Sequence, residues 1–144
     1  MTLQKTFNAK TVIITGHTGF KGAWLTAWLK QLGAKVVGIA LDPPTEPSHF
    51  VAAQLADGMF DLRIDIRNQV ALEEAIVSAQ PDFVFHLAAQ ALVRRSYEDP
   101  VETWQTNLLG TMHVLEALRK LDKPCAAVII TSDKCYDNVE WVWG

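Results

Sequence analysis

Thr11-Val-Ile-Ile-Thr-Gly-His-Thr-Gly-Phe-Lys-Gly22 is the stretch on which the fold turns. A five-residue β-branched run ends at Gly16, and glycines then stand at the first, fourth and seventh positions, Gly16, Gly19 and Gly22. Such a run predicts a strand buried on both faces, as in a parallel sheet. Beyond it Phe20, Ala23, Trp24, Ala27 and Trp28 fall at i, i+3, i+4, i+7 and i+8, which predicts a helix with a broad apolar stripe ending near Gly33. A glycine loop in that setting is suited to a phosphate. Gly16 permits the tight turn, Gly19 lets a pyrophosphate approach the backbone, Gly22 lets the helix pack on the strand, and the helix N-terminus supplies N–H donors. Thr18, Phe20 and Lys21 complete the loop as candidate contacts, Lys21 either touching phosphate or remaining solvated.

Outward from this stretch, strand and helix patterns alternate. Lys35 to Ala40 predicts a second strand, and Asp42-Pro-Pro-Thr-Glu-Pro-Ser48 a loop, because each proline removes a backbone donor. A short helix over about 48–55 and a third strand near 59–64 follow. Asn68 is an N-cap candidate for a helix that runs to about Ala79 and is stopped by Pro81. Asp82 to Leu87 predicts the fourth strand. Asp99-Pro-Val-Glu opens a long helix, with a capping acid, a first-turn proline and Glu102 three residues after the cap. Val101, Trp104, Leu108, Met112, Leu115 and Leu118 keep helical spacing until Pro124, and Ala126 to Ser132 predicts the fifth strand. The expected architecture is an α/β doubly wound parallel sheet of Rossmann type, with helices on both faces. Ligands of such sheets bind beyond the carboxyl ends of the strands where the winding reverses, here strands one and four.

Composition narrows the function. The 144 residues make one domain, and 49% hydrophobic with 20% charged residues excludes a disordered or fibrous chain. A net charge of −3 lacks the basic excess that nucleic-acid binding needs. No apolar run approaches the roughly 20 residues that span a bilayer, and the first ten residues lack a signal-peptide core, so a soluble cytoplasmic protein is expected. Cys125 and Cys135 are too far apart for a CxxC pair and read as packing thiols, and no metal site is expected.

The strand ends hold the candidate chemistry. Asp42, twenty residues after Gly22, either accepts hydrogen bonds from an adenosine ribose, favouring NAD over NADP, or is a turn residue before two prolines. Asp65 and Ile66 either bracket an adenine, with Asp65 accepting from its amino group, or Asp65 is a helix cap. In His86-Leu-Ala-Ala-Gln, Leu87, Ala88 and Ala89 can bring backbone close to a cofactor, while His86 reads as a hydrogen-bonded core histidine. The fifth strand ends in Thr131-Ser-Asp-Lys-Cys-Tyr. There Ser132 can bind a substrate oxygen, Asp133 can pass a proton to a leaving group, and Lys134 can remove one if a nearby cation lowers its pKa. An ordinary strand-end loop is the competing account of that cluster.

Together, GHTGFKG (16–22), HLAAQ (86–90), TNLLGT (106–111) and TSDKCY (131–136) resemble the N-terminal half of the extended short-chain dehydrogenase/reductases. Within them the chain resembles the nucleotide-sugar 4,6-dehydratases. LDPPTEP (41–47), TSDKCYDN (131–138) and EWVWG (140–144) point to the branch acting on CDP-glucose. The resemblance implies bound NAD, a small sugar-nucleotide substrate, a homo-oligomer and an internal redox elimination giving a 4-keto-6-deoxy sugar. It implies that Ser132 binds the C4 oxygen, that Asp133 protonates the departing C6 hydroxyl, and that Lys134 removes the C5 proton where relatives carry a glutamate. It also implies that Asn107 orders the active-site water and lysine. The family's Tyr-xxx-Lys pair has no match, since Val101 and Glu140 lie four residues after Tyr97 and Tyr136. The expectation is therefore a cofactor-binding domain over 1–144 whose sugar-nucleotide domain is absent, inactive alone, with an apolar tail prone to self-association. An epimerase or reductase of the same superfamily, or a non-catalytic nucleotide-binding module, are the competing readings.

Overall fold

In the computed structural model, which describes residues 2–133, 136–137 and 139–142, five strands form one parallel sheet in the order β3-β2-β1-β4-β5. The strands are β1 (Thr11–Thr15), β2 (Lys35–Ala40), β3 (Phe60–Arg63), β4 (Phe83–His86) and β5 (Ala126–Ile129). The order runs outward from β1 in both directions, as the doubly wound reading requires. Val12 sits in register with Val36 of β2 on one side and Phe83 of β4 on the other, so β1 is central. Its alternation serves two cores at once. Ile13 joins Val37, Ile39 and Val84 beneath α4 (Gln69–Ala79) and α7 (Gly110–Leu118), which contribute Leu72, Ile76, Val114 and Ala117. Val12, Ile14 and Val36 face the other way, toward Leu29 of α2 (Phe20–Gln31). Phe7 of α1 (Leu3–Phe7), an element not expected from the sequence, closes this side against Phe83 at 4.9 Å between ring centroids.

Several local expectations hold. Asn68 Oδ1 accepts from Ala71 N at 3.2 Å, and Asp99 Oδ1 accepts from Glu102 N at 2.9 Å, so both caps form. α3 is shorter than expected, His49–Ala52, and β5 stops at Ile129, three residues before Ser132.

The buried faces of two helices differ from the expected ones. In α2 the aromatic residues point outward, with Phe20 75%, Trp24 58% and Trp28 51% exposed. Of the expected stripe Ala23 is buried, and Gly22, Thr26 and Leu29 make the contact with it in place of the aromatic residues. The reason is distance: a Cβ on Gly22 would lie 2.1 Å from Gly16 O, so the helix lies too close to the loop for anything but small residues at its first contact. Trp24 packs on His49 with ring centroids 4.4 Å apart. Trp28→Gln is accordingly expected to change stability by less than about 1 kcal/mol and Leu29→Ala to cost about 2–5 kcal/mol, read from urea melts; a costlier Trp28 variant would restore the original stripe.

The expected long helix forms from Pro100 to Leu118 with one irregular turn and an unexpected face inward. α5 (Val93–Glu98) precedes α6 (Pro100–Trp104), and a π-helical turn over Gln105–Leu109 joins α6 to α7. Val101, Trp104, Leu108, Met112 and Leu115 are exposed, whereas Gly110, Val114 and Ala117 are buried. Gly110 decides which face is down, because Ile66 Cδ1 would stand 2.6 Å from a Cβ there.

Candidate cofactor site

The glycine loop lies at the carboxyl end of β1, and its three glycines have different physical reasons. Gly16 has φ of +76°, and a Cβ there would lie 2.9 Å from Ala88 N, so the turn and the neighbouring strand end both demand glycine. Gly22 is demanded by Gly16 O, as above. Gly19 is not demanded by the chain at all: its φ of −75° and ψ of 171° suit any residue, and a Cβ would meet only Gly16 O at 3.4 Å. The space over Gly19 is open, at the N-cap of the twelve-residue α2, which has no side-chain cap and whose Ala23 N is bonded back to Gly19 O. The N–H groups ahead of Ala23 therefore face a place without a Cβ, as a pyrophosphate requires. Phe20 and Lys21 flank it, exposed, and Thr18 donates from Oγ1 to Leu41 O at 3.0 Å, tying the loop to the end of β2.

Beneath the loop lies a buried network whose protons can be assigned. Thr15 Oγ1 accepts from Leu87 N at 3.2 Å and Ala88 N at 3.1 Å, so its own proton goes to His86 Nδ1, 2.6 Å away. His86 then donates from Nε2 to Thr111 Oγ1 at 3.0 Å, and Thr111 donates to Asn107 O at 2.7 Å. Every partner is satisfied by a neutral imidazole, and burial pushes the His86 pKa down to about 4. His86 is thus the core histidine expected. It fixes Leu87 and Ala88 where the fourth strand ends, with Ala88 against Gly16.

Asn107, expected to order a water and a lysine, turns its side-chain amide to the backbone of Gln90. Oδ1 accepts from Gln90 N at 2.8 Å and Nδ2 donates to Gln90 O at 2.9 Å, clamping the residues after β4 to the π turn. That turn carries one extra residue, with Gly110 N bonded to Gln105 O, and Thr111 Oγ1 donates back to Asn107 O.

At the outer rim Asp42 is 91% exposed, 3.7 Å from Arg63 Nε. Arg63 donates from Nη2 to Asp61 Oδ2 at 2.8 Å, and Asp61 Oδ1 lies 2.8 Å from His17 Nε2. His17, not singled out from the sequence, is fully buried, and burial holds its imidazole below the ordinary value despite the opposing pull of Asp61. Gly38 makes room for it: a Cβ there would meet the His17 ring at 2.5 Å. A glycine inside the run Lys35-Val-Val-Gly-Ile-Ala40 was the signal, since such glycines mark close approach.

Asp65 is neither free nor a helix cap. It accepts from Arg67 N at 2.9 Å and from the Arg67 guanidinium at 2.6 Å, and those hydrogen bonds hold its pKa below the usual carboxylate range. Asn68 caps α4 instead. Ile66 is buried under α7, with its carbonyl 3.0 Å from His113 Nδ1. Ala89 and Thr131 are exposed at the strand ends, as are Ser132 and Asp133, whose carbonyl accepts from Tyr136 N at 2.9 Å. Lys134 and Cys135 lie outside the described residues. Among the described residues no group of three or more ligating side chains could hold a metal ion, and no helix is long and apolar enough to cross a membrane.

Comparison with known proteins agrees with this geometry. The chain is 53% identical over 138 residues to CDP-glucose 4,6-dehydratase of Salmonella typhimurium, covering 96% of this chain and 38% of that protein. It is 35% identical to a probable dTDP-glucose 4,6-dehydratase of Sinorhizobium fredii, over 76% of this chain and 31% of that protein. Among solved structures, the UDP-glucose 4-epimerase of Thermus thermophilus in complex with NAD superimposes with a TM-score of 0.68 at 33% identity, over 76% of this chain and 34% of that one. The Stenotrophomonas maltophilia UDP-glucose 4-epimerase shares the fold with a TM-score of 0.79 at 21% identity, over 94% and 40%. The chain therefore spans well under half the length of these relatives. The sequence model described as GDP-mannose 4,6 dehydratase matches residues 13–142, strand β1 through the end of the described chain, and to that family the chain belongs.

Proposed function

We propose that the chain is the NAD-binding part of a CDP-glucose 4,6-dehydratase, with the activity belonging to a protein of the relatives' full length. The observation that carries this is the open space over Gly19, a glycine nothing else in the chain explains, at the uncapped start of α2. The 53% identity to a CDP-glucose 4,6-dehydratase supports the substrate, and the likeness to an epimerase complexed with NAD supports the cofactor. When bound, NAD supplies a hydride acceptor for the sugar and, later in the cycle, the donor that returns it.

The chain's own residues hold and orient. Backbone at Gly19 and the first N–H groups of α2 receive the pyrophosphate, and exposed Asp42 accepts from ribose hydroxyls. Leu87, Ala88 and Ala89 present backbone to the cofactor, fixed in place by Thr15 and His86. Asp65, its carboxylate kept ionised by Arg67, accepts from the adenine amino group, while the buried Ile66 anchors this strand end under α7. Ser132 hydrogen-bonds the sugar C4 oxygen, Asp133 gives a proton to the leaving C6 hydroxyl, and Lys134 takes the C5 proton. Asn107 acts by clamping Gln90, and through it the strand end, to the π turn.

Calorimetric titration with NAD tests the reading. The chain is expected to bind saturably, and Gly19→Val, whose side chain fills the pyrophosphate space, to bind at least about 100-fold more weakly with an unchanged melting curve. Absence of binding by a folded chain, or unimpaired binding by the variant, overturns it.

A further inference from the structure

Arg63 is the last residue of β3 and pairs in register with Ala40, so it stands beside Leu41 and Asp42 where β2 ends. Its guanidinium is fixed before any ligand arrives. Nη1 donates to Leu41 O at 2.9 Å, Nη2 donates to Asp61 Oδ2 at 2.8 Å, and the group lies over the Phe50 ring with its carbon 5.4 Å from the centroid. Nε lies 3.7 Å from Asp42 Oδ1. Each terminal nitrogen keeps a second N–H that makes no hydrogen bond among the described residues. The loop is tied to the same spot, because Thr18 Oγ1 also donates to Leu41 O.

From this arrangement we infer that Arg63 is a specificity-determining residue, a preformed cation for a 2′-phosphorylated adenosine that the Asp42 carboxylate, in addition to its Asp61 partner, holds in check. The inference rests on the reading of these strand ends as a dinucleotide site. Asp42 accepts from two ribose hydroxyls and repels a 2′-phosphate, whereas a guanidinium fork matches a phosphate in geometry and charge. The side-chain entropy that phosphate binding ordinarily costs is already lost in packing against Phe50, Leu41 and Asp61. Removing the carboxylate therefore uncovers a phosphate site and does not merely abolish a ribose site. A purely structural Arg63 would act differently: it would serve only to hold Asp61 against the buried His17.

The test compares dissociation constants for NAD and NADP, by calorimetry, in the unaltered chain, Asp42→Ser, Arg63→Gln, Asp42→Ser/Arg63→Gln and Asp42→Ser/Arg63→Lys. The unaltered chain is expected to favour NAD. Asp42→Ser, altering an exposed side chain, is expected to bind NADP about tenfold or more tightly than the unaltered chain does and to prefer it over NAD. Adding Arg63→Gln removes that gain, and Arg63→Lys retains part of it. Arg63→Gln alone leaves NAD affinity nearly unchanged. Asp42→Ser without a gain for NADP overturns the inference, as does a double variant that keeps the gain, or an Arg63→Gln chain that loses NAD and NADP alike or fails to fold. An unaltered chain that binds neither dinucleotide defeats the cofactor reading and this inference together; one that binds NAD while the variants miss the expected pattern defeats this inference only.

Discussion

Gly22→Ala is expected to cost about 3 kcal/mol or more, while Gly19→Ala, the same change three residues earlier, is expected to change stability by less than about 1 kcal/mol. The contrast follows from what an added methyl meets. At Gly22 it would lie 2.1 Å from Gly16 O and 2.7 Å from His17 Cα, both backbone atoms, so α2 must move off the loop to admit it. That movement separates Ala23 and Leu29 from the core they fill. At Gly19 the backbone already has dihedral angles open to alanine and the methyl meets only Gly16 O at 3.4 Å, so the reduced entropy of the unfolded chain offsets the poorer N-cap that alanine makes. Urea denaturation of both variants settles it: equal effects, of either sign, would mean that the loop geometry is not as described. Because Gly19→Ala is predicted stable, any loss of dinucleotide binding it shows belongs to the ligand's space and not to misfolding.

Acid is the second large effect. The folded pKa of His86, about 4, lies below the ordinary 6.5, so between those values the unfolded chain binds a proton that the folded chain refuses. More protons on the unfolded state means that stability rises with pH through this window, and that it falls as pH drops from 6.5 toward 4. At 1.36 kcal/mol per pKa unit the full contribution is about 3 kcal/mol. The network explains why the proton is refused. Protonated Nδ1 would turn a donor toward Thr15 Oγ1, which already accepts from Leu87 N and Ala88 N and would have to give up its own bond. His17, also held low by burial, adds in the same direction. The check is the difference in urea-melt stability between the chain and His86→Gln, followed from pH 7 to 4.5. That difference should shrink as the pH falls, because glutamine has no proton to refuse; a constant difference removes His86 from the account.

The sequence by itself determined the strand–loop–helix order, the caps at Asn68 and Asp99, the parallel doubly wound sheet and the place of the glycine loop. These are local matters of turn, cap and β-branched run, and each depends on neighbours within a few residues. It also marked His86 as a core histidine, because an imidazole between Phe85 and Leu87 in a buried strand has little other use. What the tertiary structure alone decided is which side of each helix faces inward. Periodicity counts apolar residues, and in α2 and along α6–α7 the tryptophans outweighed the glycines and alanines. Close approach reverses that weighting, since at Gly22 and Gly110 the neighbouring atoms leave no room for a Cβ, and the large side chains rotate outward. The same holds for the rim. Asp42, Asp61, Arg63 and His17 come from three separate stretches, and only the lateral pairing of β2 with β3, Ala40 beside Arg63, sets a guanidinium next to the exposed Asp42 carboxylate. Spacing along a chain carries no trace of such pairing, because register between parallel strands is set by packing across the sheet and not by the residues that separate them.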